Sequence, residues 1–153
     1  MDKVQFYVGK EGIVPTRNFG DAGFDFFVPK DFSTKLLAPG EDVLINTHIR
    51  SKLPNNIALV AFNKSGVATK KHLQVGACVV DSSYQGEIHI HVFNWGSTSI
   101  LIEAKDKLVQ FVPLQIEDEE AIYCFEEYTP LEEFFTCKTE RGSEGFGSTG
   151  DKA

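Results

Sequence analysis

The segment CVVDSSYQGEIHIHVFN, residues 78–94, sets the architecture expected for the chain. Two apolar stretches, GACVVD (76–81) and EIHIHVFN (87–94), flank the turn SSYQG. Alternating β-branched and aromatic residues predict half-buried strands, and a short glycine-containing turn between them predicts a β-hairpin. We therefore expect the mouth of this hairpin to hold the carboxylate of Asp81 and the ring of Tyr84.

Strand signals continue along the rest of the chain. Turn signals such as FGDAG, APG, LPNN and NWGS separate further predicted strands at 42–49, 56–63, 99–104, 107–116 and 121–128. The helix signal is confined to TPLEEFFTC (129–137), with Thr129 as N-cap and Pro130 at the first helical position. Many short strands with frequent turns are typical of an all-β sandwich or barrel, which is the predicted fold class.

Composition and charge favour one globular domain without a nucleic-acid or membrane partner. The chain has 153 residues, 42% hydrophobic and 24% charged, which suits a single packed domain. Its formal net charge of −7 argues against nucleic-acid binding, which needs a basic face. No apolar run approaches the ~20 residues of a membrane span, and the N-terminus lacks the apolar core of a signal peptide. We therefore expect a cytoplasmic location, or a nuclear one, or the host cytoplasm for a viral chain.

The cysteines point to a reducing compartment. Cys78, Cys124 and Cys137 are widely spaced and odd in number, and no CxxC pair occurs. Such cysteines are expected to be free thiols rather than a disulfide framework.

The segment NKSGVA (63–68) has residue types that suit a phosphate. It follows an apolar strand and opens into Ser65 and Gly66, where a hydroxyl and exposed backbone N–H groups can hold an anion. Lys64 adds a positive charge. Taken alone, the segment favours an ordinary Ser-Gly turn over a phosphate site.

Two other segments place polar groups near predicted strands. DAGFDFF (21–27) contains Asp21 and Asp25, and two carboxylates at this spacing suit a hard cation such as Mg²⁺. In isolation they are also consistent with turn residues that bond backbone donors. KDKLVQF (105–111) places Gln110 on a strand, which on its own indicates no function.

Five short motifs follow one another between residues 21 and 150, namely DAG-x-D, SG-x-A, VVD-x-x-Y-x-GEI, D-x-L-x-Q and RG-x-x-GFGSTG. Their content and order resemble those of the trimeric dUTPase family. The resemblance implies a β-jelly-roll homotrimer that cleaves dUTP to dUMP and pyrophosphate with Mg²⁺, at sites shared between subunits. It also implies a β domain over residues 1–139 and a mobile, glycine-rich C-terminal arm over residues 140–153.

The resemblance assigns roles close to the reacting atoms to four residues. Asp81 resembles the base that orients and deprotonates the attacking water. Gln110 matches a polar group near the phosphates, and Arg141 of the arm would reach the same phosphates. Asp25 matches the acid of the first motif, which is expected near the water shell of the metal.

The resemblance also implies a set of substrate contacts. Tyr84 would stack on the deoxyribose and exclude a 2′-hydroxyl, residues 73–84 would read uracil largely through backbone groups, and Phe146 would stack on the base. The implied substrate-binding positions are Lys64, Ser65, Gly66, Val75, Val80, Tyr84, Phe146, Gly147, Ser148 and Thr149.

Three positions depart from the family pattern. Lys64 stands where Arg is usual, Glu144 where Gly is usual, and Val75 where many members carry Asn. Two alternatives therefore stay open, a related pyrimidine deoxynucleotide hydrolase with another base preference and a non-catalytic, regulatory dUTPase-like binding protein. The related dCTP deaminases would carry a catalytic Glu at the place of His91. His89 and His91 share a strand face, but the sequence suggests no third metal ligand beside them.

Overall fold

The computed structural model describes residues 3–117, 130–135, 137 and 139. Its elements are β1 (Gln5–Val8), β2 (Phe24–Phe27), β3 (Lys35–Leu37), β4 (Asp42–Lys52), β5 (Ile57–Asn63), α1 (Ser65–Lys71), β6 (Leu73–Val75), β7 (Val79–Val80), β8 (Ile88–Asn94), β9 (Ile100–Ile102), β10 (Lys107–Gln115) and α2 (Leu131–Phe134). Neither described helix is long and apolar enough to cross a membrane.

The described residues fall into two compact units. Residues 3–117 belong to the first and residues 130–139 to the second. The second unit contains α2, within the helix predicted from TPLEEFFTC. The strand predicted at 121–128 and the N-cap predicted at Thr129 lie outside the described residues. The boundary predicted after residue 139 stays a prediction.

The first unit is a sandwich of two four-stranded sheets. The first sheet has the order β1-β4-β8-β6 and the second the order β2-β10-β5-β7, while β3 and β9 form a separate two-stranded sheet. All pairs of strands are antiparallel. The predicted all-β sandwich is thus confirmed.

Strand β8 shows how the residue pattern builds the core. Ile88, Ile90 and Val92 are buried, whereas His89 and His91 face the other side of the sheet. The same alternation runs through β4. Because successive side chains of a strand point to opposite faces, each sheet buries one apolar face against the other. These faces form one core of aliphatic and aromatic side chains.

A buried asparagine closes the end of β8. The Nδ2 group of Asn94 donates to the carbonyl oxygens of Leu37 and Thr98, both at 2.9 Å. Its Oδ1 accepts the N–H of Gly96, also at 2.9 Å. Since both donor hydrogens and the acceptor are used, the amide can be buried at low cost and ties β3 to the turn after β8.

The hairpin predicted between 76–81 and 87–94 is wrong. Strand β7 pairs with β5 in the second sheet, whereas β8 pairs with β4 and β6 in the first. The chain therefore passes from one sheet to the other through residues 76–80, here called the crossover segment. Alternation identifies a strand, but the partner of that strand is fixed by contacts distant in sequence.

Residues after β5 form a helix that the sequence analysis did not predict. The segment Ser65–Lys71 is helical, and it ends where His72 takes a left-handed conformation with φ of 53°. Gly66 and the β-branched residues Val67 and Thr69 are weak helix formers, which explains why the signal was missed.

Candidate active site

A polar cleft of about 600 Å³ collects residues from three of the five motifs. The predicted site residues in it are Asp25, Lys64, Ser65, Gly66 and Gln110. Strand order explains why they meet, because β10 lies between β2 and β5. Gln110 stands opposite Asp25 on one side, and the end of β5 that leads into Lys64 lies on the other.

The cleft is cationic although the chain as a whole is acidic. Lysine side chains from three segments line it, namely Lys64, Lys70, Lys71 and Lys107, against the carboxylates of Asp21 and Asp25. A concentration of positive charge in a recess attracts anions, and lysine ammonium groups bind phosphate oxygens as point charges. The arrangement suits a polyphosphate ligand.

Two lysines contact the carboxylate of Asp25. Its Oδ1 accepts a hydrogen bond from Lys64 Nζ, and its Oδ2 lies 3.6 Å from Lys107 Nζ. The described residues contain no group of three or more His, Cys, Asp or Glu side chains that could hold a metal ion. The carboxylates of Asp21 and Asp25 in the cleft are hard oxygen donors of the kind that Mg²⁺ accepts while keeping several waters.

Asn63 is a site residue that the sequence analysis missed. Its carbonyl oxygen accepts a hydrogen bond from Gln110 Nε2 at 3.1 Å, which fixes the glutamine carboxamide at the cleft. Its side-chain Oδ1 accepts the N–H of Val75 at 2.8 Å. It thereby links the second and fourth motifs to β6, where Val75 does not line the cleft.

A second cavity, of about 210 Å³, lies beside the crossover segment and is lined by Leu44, Ala77, Cys78, Val79, Val80, Tyr84, Glu87, Ile88, His89 and Phe111. Tyr84 and Val80, both predicted site residues, are brought together here. Asp81 follows Val80 directly, and its carbonyl oxygen accepts the N–H of Tyr84 at 3.1 Å, which closes the turn.

Gly86 allows the ring of Tyr84 to take its place. The Tyr84 hydroxyl donates to the carbonyl oxygen of Glu87 at 3.1 Å. A Cβ atom at residue 86 would lie 2.2 Å from that hydroxyl oxygen and 2.3 Å from Cζ, far inside van der Waals contact. Only glycine therefore permits this ring position.

Two polar side chains of β4 contact the turn that carries Tyr84. Asn46 donates to the carboxylate of Glu87, and this hydrogen bond lowers the pKa of Glu87, with a further contribution from the charge of Arg50. Arg50 also donates to the carbonyl oxygen of Gln85 at 2.7 Å. Asn46 and Arg50 belong to none of the five motifs, whereas Glu87 lies in the third.

The two cavities are lined by different residues. Gln110 lines the cleft and Phe111, the next residue of β10, lines the second cavity. Among the described residues, none lines both cavities, so Tyr84 lies in a different cavity from Lys64.

The residues predicted in the C-terminal arm lie outside the described residues. They are Arg141, Glu144, Phe146, Gly147, Ser148 and Thr149. Their contacts with substrate stay predictions.

The fold is that of solved dUTPases. The dUTPase of Staphylococcus bacteriophage 80alpha, solved with dUpNHpp, aligns with a TM-score of 0.76 and 25% sequence identity, over 97% of this chain and 98% of that one. The predicted jelly-roll β fold is confirmed. With a cationic, motif-lined cleft, the fold defines a protein of the nucleotide-hydrolase class.

Sequence comparison narrows this class to one family. A sequence model of the dUTPase family matches residues 10–150. The deoxyuridine 5′-triphosphate nucleotidohydrolase of Mus musculus is 32% identical over 145 residues, 94% of this chain and 82% of the mouse protein. That of Fowlpox virus is 36% identical over 131 residues, 86% of this chain and 84% of the viral protein. The chain belongs to the dUTPase family, which confirms the family and the enzyme class predicted from the five motifs.

Proposed function

We propose that the chain hydrolyses dUTP to dUMP and pyrophosphate through Mg²⁺-assisted attack of water on the α-phosphorus. The observation that carries this proposal is the assembly of three dUTPase motifs in one cationic cleft of a family member. The similar mouse and fowlpox proteins are named for action on deoxyuridine 5′-triphosphate.

The cleft binds the triphosphate. Lys64, Ser65 and Gln110 all line the cleft, and in this proposal Lys64 and the hydroxyl of Ser65 contact phosphate oxygens while Gln110 offers its carboxamide from β10. A Cβ atom at Gly66 would meet nothing within 4 Å, so a ligand can approach the backbone there closely. Mg²⁺, when bound, neutralises phosphate charge, and Asp25 would hold it through its water shell.

Asp81 acts as the general base. A carboxylate orients a water molecule by accepting its hydrogen bond and then takes its proton as the phosphorus is attacked. The turn closed by the bond from Tyr84 N–H to the Asp81 carbonyl fixes the backbone that carries this carboxylate.

Tyr84 and the crossover segment select the nucleoside. The tyrosine ring, held over Gly86, occupies the space that a 2′-hydroxyl would need. Backbone groups of the crossover segment read the uracil edge, and a tight wall there excludes the thymine methyl group and the reversed donor–acceptor edge of cytosine. Selection thus rests on shape and on hydrogen bonds that a wrong base would leave unmade.

A complete site lies between subunits of a homotrimer. Within one chain the cleft and the cavity that contains Tyr84 share no lining residue among the described residues, which supports a site in which a second copy brings its Asp81–Tyr84 turn to the cleft of the first. By family resemblance the arm of another subunit, with Arg141 and Phe146, closes over the nucleotide.

The test is a substrate panel. Purified protein with Mg²⁺ is incubated with each deoxynucleoside and ribonucleoside triphosphate, and pyrophosphate and ammonia are measured. We expect dUTP to be hydrolysed, with dTTP, dCTP and UTP slower by roughly 100-fold or more. Comparable turnover of dCTP, or release of ammonia, would contradict the proposal.

Gly86→Ala is expected to reproduce the effect of removing Tyr84. The new methyl group forces the ring away, so the preference for dUTP over UTP should fall by about tenfold, with a smaller loss in dUTP turnover. Rates on both nucleotides are compared with those of Tyr84→Ala and of Ser83→Ala, an exposed change in the same turn. An unchanged dUTP/UTP ratio in a folded Gly86→Ala protein would show that another group excludes ribose.

A further inference from the structure

We propose that His91 is a positioning residue for the crossover segment, through which it sets affinity and selectivity for the base. The proposal rests on the dUTPase function proposed above. The ring does not belong to either cavity, and its role is to hold the backbone that forms the wall of one of them.

The backbone ladder between β6 and β8 ends where the crossover segment begins. Its last register pair joins Val75 to Val92. Gly76 then donates its N–H to the carbonyl oxygen of His91 at 3.0 Å. Ala77 donates its N–H to Nδ1 of the same histidine at 2.8 Å. One residue thus accepts two consecutive amides, and the imidazole takes over as acceptor where the chain leaves the sheet.

Asp42 stabilises the tautomer of the His91 ring that can accept the Ala77 amide. A backbone N–H can only donate, so Nδ1 of His91 must be the acceptor and the ring proton must lie on Nε2. Nε2 is 2.9 Å from Oδ2 of Asp42, which accepts the hydrogen bond from the Nε2–H group. A carboxylate on one imidazole nitrogen orients the ring and sets the tautomer for the other.

The imidazole of His91 leaves no room for a side chain at residue 76, so only glycine fits there. A Cβ atom at residue 76 would lie 2.1 Å from Nδ1 and 2.4 Å from Cε1 of His91. The imidazole therefore packs directly on the glycine backbone, and the path of the chain at this point is fixed by contact as well as by two hydrogen bonds.

The amides that His91 holds lie beside the second cavity, so their position affects the wall of that cavity. Ala77 and Val80 line the cavity that contains Tyr84, and Asp81 follows at once. A base that is read by backbone groups is sensitive to small displacements of those groups. Loss of the His91 acceptor should therefore weaken nucleotide binding and base discrimination more than it slows the chemical step.

Two substitutions separate the acceptor from the ring. His91→Phe keeps an aromatic ring but removes the acceptor, while His91→Asn removes the ring and places Oδ1 about where Nδ1 lies. We expect His91→Phe to raise KM for dUTP about 5- to 10-fold and to weaken the preference for dUTP over dCTP, with kcat changed less than about twofold. His91→Asn should restore most of both losses. Gln74→Ala, at the exposed position of β6, is the matched control.

A measurement without substrate tests the same contact. Hydrogen exchange of the Ala77 amide, followed by NMR, should be faster in His91→Phe than in the wild type and close to the wild type in His91→Asn. Asp42→Ala, a change at an exposed side chain, keeps the fold intact and should shift exchange and KM in the same direction by about two- to threefold.

The outcomes are decisive. If His91→Phe matches the wild type, or if His91→Asn is impaired as much as His91→Phe in KM and in Ala77 exchange, the positioning role is refuted. If the wild type does not hydrolyse dUTP, the proposed function fails, while Ala77 exchange still decides whether His91 holds the crossover segment.

Discussion

Asp81→Asn is expected to bind dUTP with unchanged affinity and to turn it over roughly 10²–10⁴-fold more slowly, the usual contribution of a general base. An amide of nearly the same shape can orient a water molecule but cannot take its proton. The turn should survive, because the carbonyl oxygen of Asp81, not its side chain, accepts the Tyr84 N–H. Release of pyrophosphate gives kcat, and calorimetry with a non-hydrolysable dUTP analogue gives affinity.

A matched loss of charge checks that the effect is local. Glu103→Gln removes an exposed carboxylate in the turn between β9 and β10 and should leave kcat unchanged. If Asp81→Asn retains activity within about threefold of the wild type, Asp81 is not the base, and another group must activate the water.

Two inactive chains should restore activity when they share a trimer. Asp81→Asn lacks the base, and a chain ending at Thr139 lacks the arm that carries Arg141 and Phe146. In a ring of three, both possible mixtures contain one subunit with an arm beside one with an intact base in the correct rotational order. Each mixed trimer should therefore recover about one third of the wild-type activity, whereas either homotrimer should be nearly inactive.

The experiment needs trimers that contain both kinds of chain, and a control pair of chains in which no intact base is present. Co-expressed chains with different affinity tags give verified mixed trimers, and mixing preformed trimers should recover little. Asp81→Asn combined with a truncated chain that also carries Asp81→Asn has no intact base and should stay inactive. If verified mixed trimers of the first pair are inactive, the arm closes over the Asp81 of its own subunit, and the shared site is wrong.

The sequence predicted most of the strands and the residues of the cleft. Alternation in β8 and β4 is strong because each buries one apolar face, and the motifs marked Asp25, Lys64 and Gln110. Their meeting in one cleft depends on β10 lying between β2 and β5, and such pairing distant in sequence leaves no mark in any single segment. The predicted hairpin was wrong for the same reason. Val79–Val80 is a strand as predicted, but its partner is β5, which lies far away in the sequence.

Residues that support the site from outside the two cavities escaped prediction because they bond main-chain groups. Asn63, Arg50 and His91 each bond main-chain groups that belong to a different segment. Their residue types are compatible with many surface roles, and only the folded chain shows which amide or carbonyl they meet. The helix at Ser65–Lys71 was missed for another reason, since Gly66 and the β-branched residues Val67 and Thr69 give it a weak local signal.

On the proposed function, nucleotide binding would be an exchange of ions, because Asp25 is already paired with Lys64 and Lys107. A phosphate oxygen that binds Lys64 would displace the carboxylate of Asp25 rather than a mobile anion from solution. We therefore expect Lys64 to contribute less affinity than its charge alone would suggest. The displaced carboxylate would then be available to a cation, so we expect nucleotide and metal to favour the binding of one another.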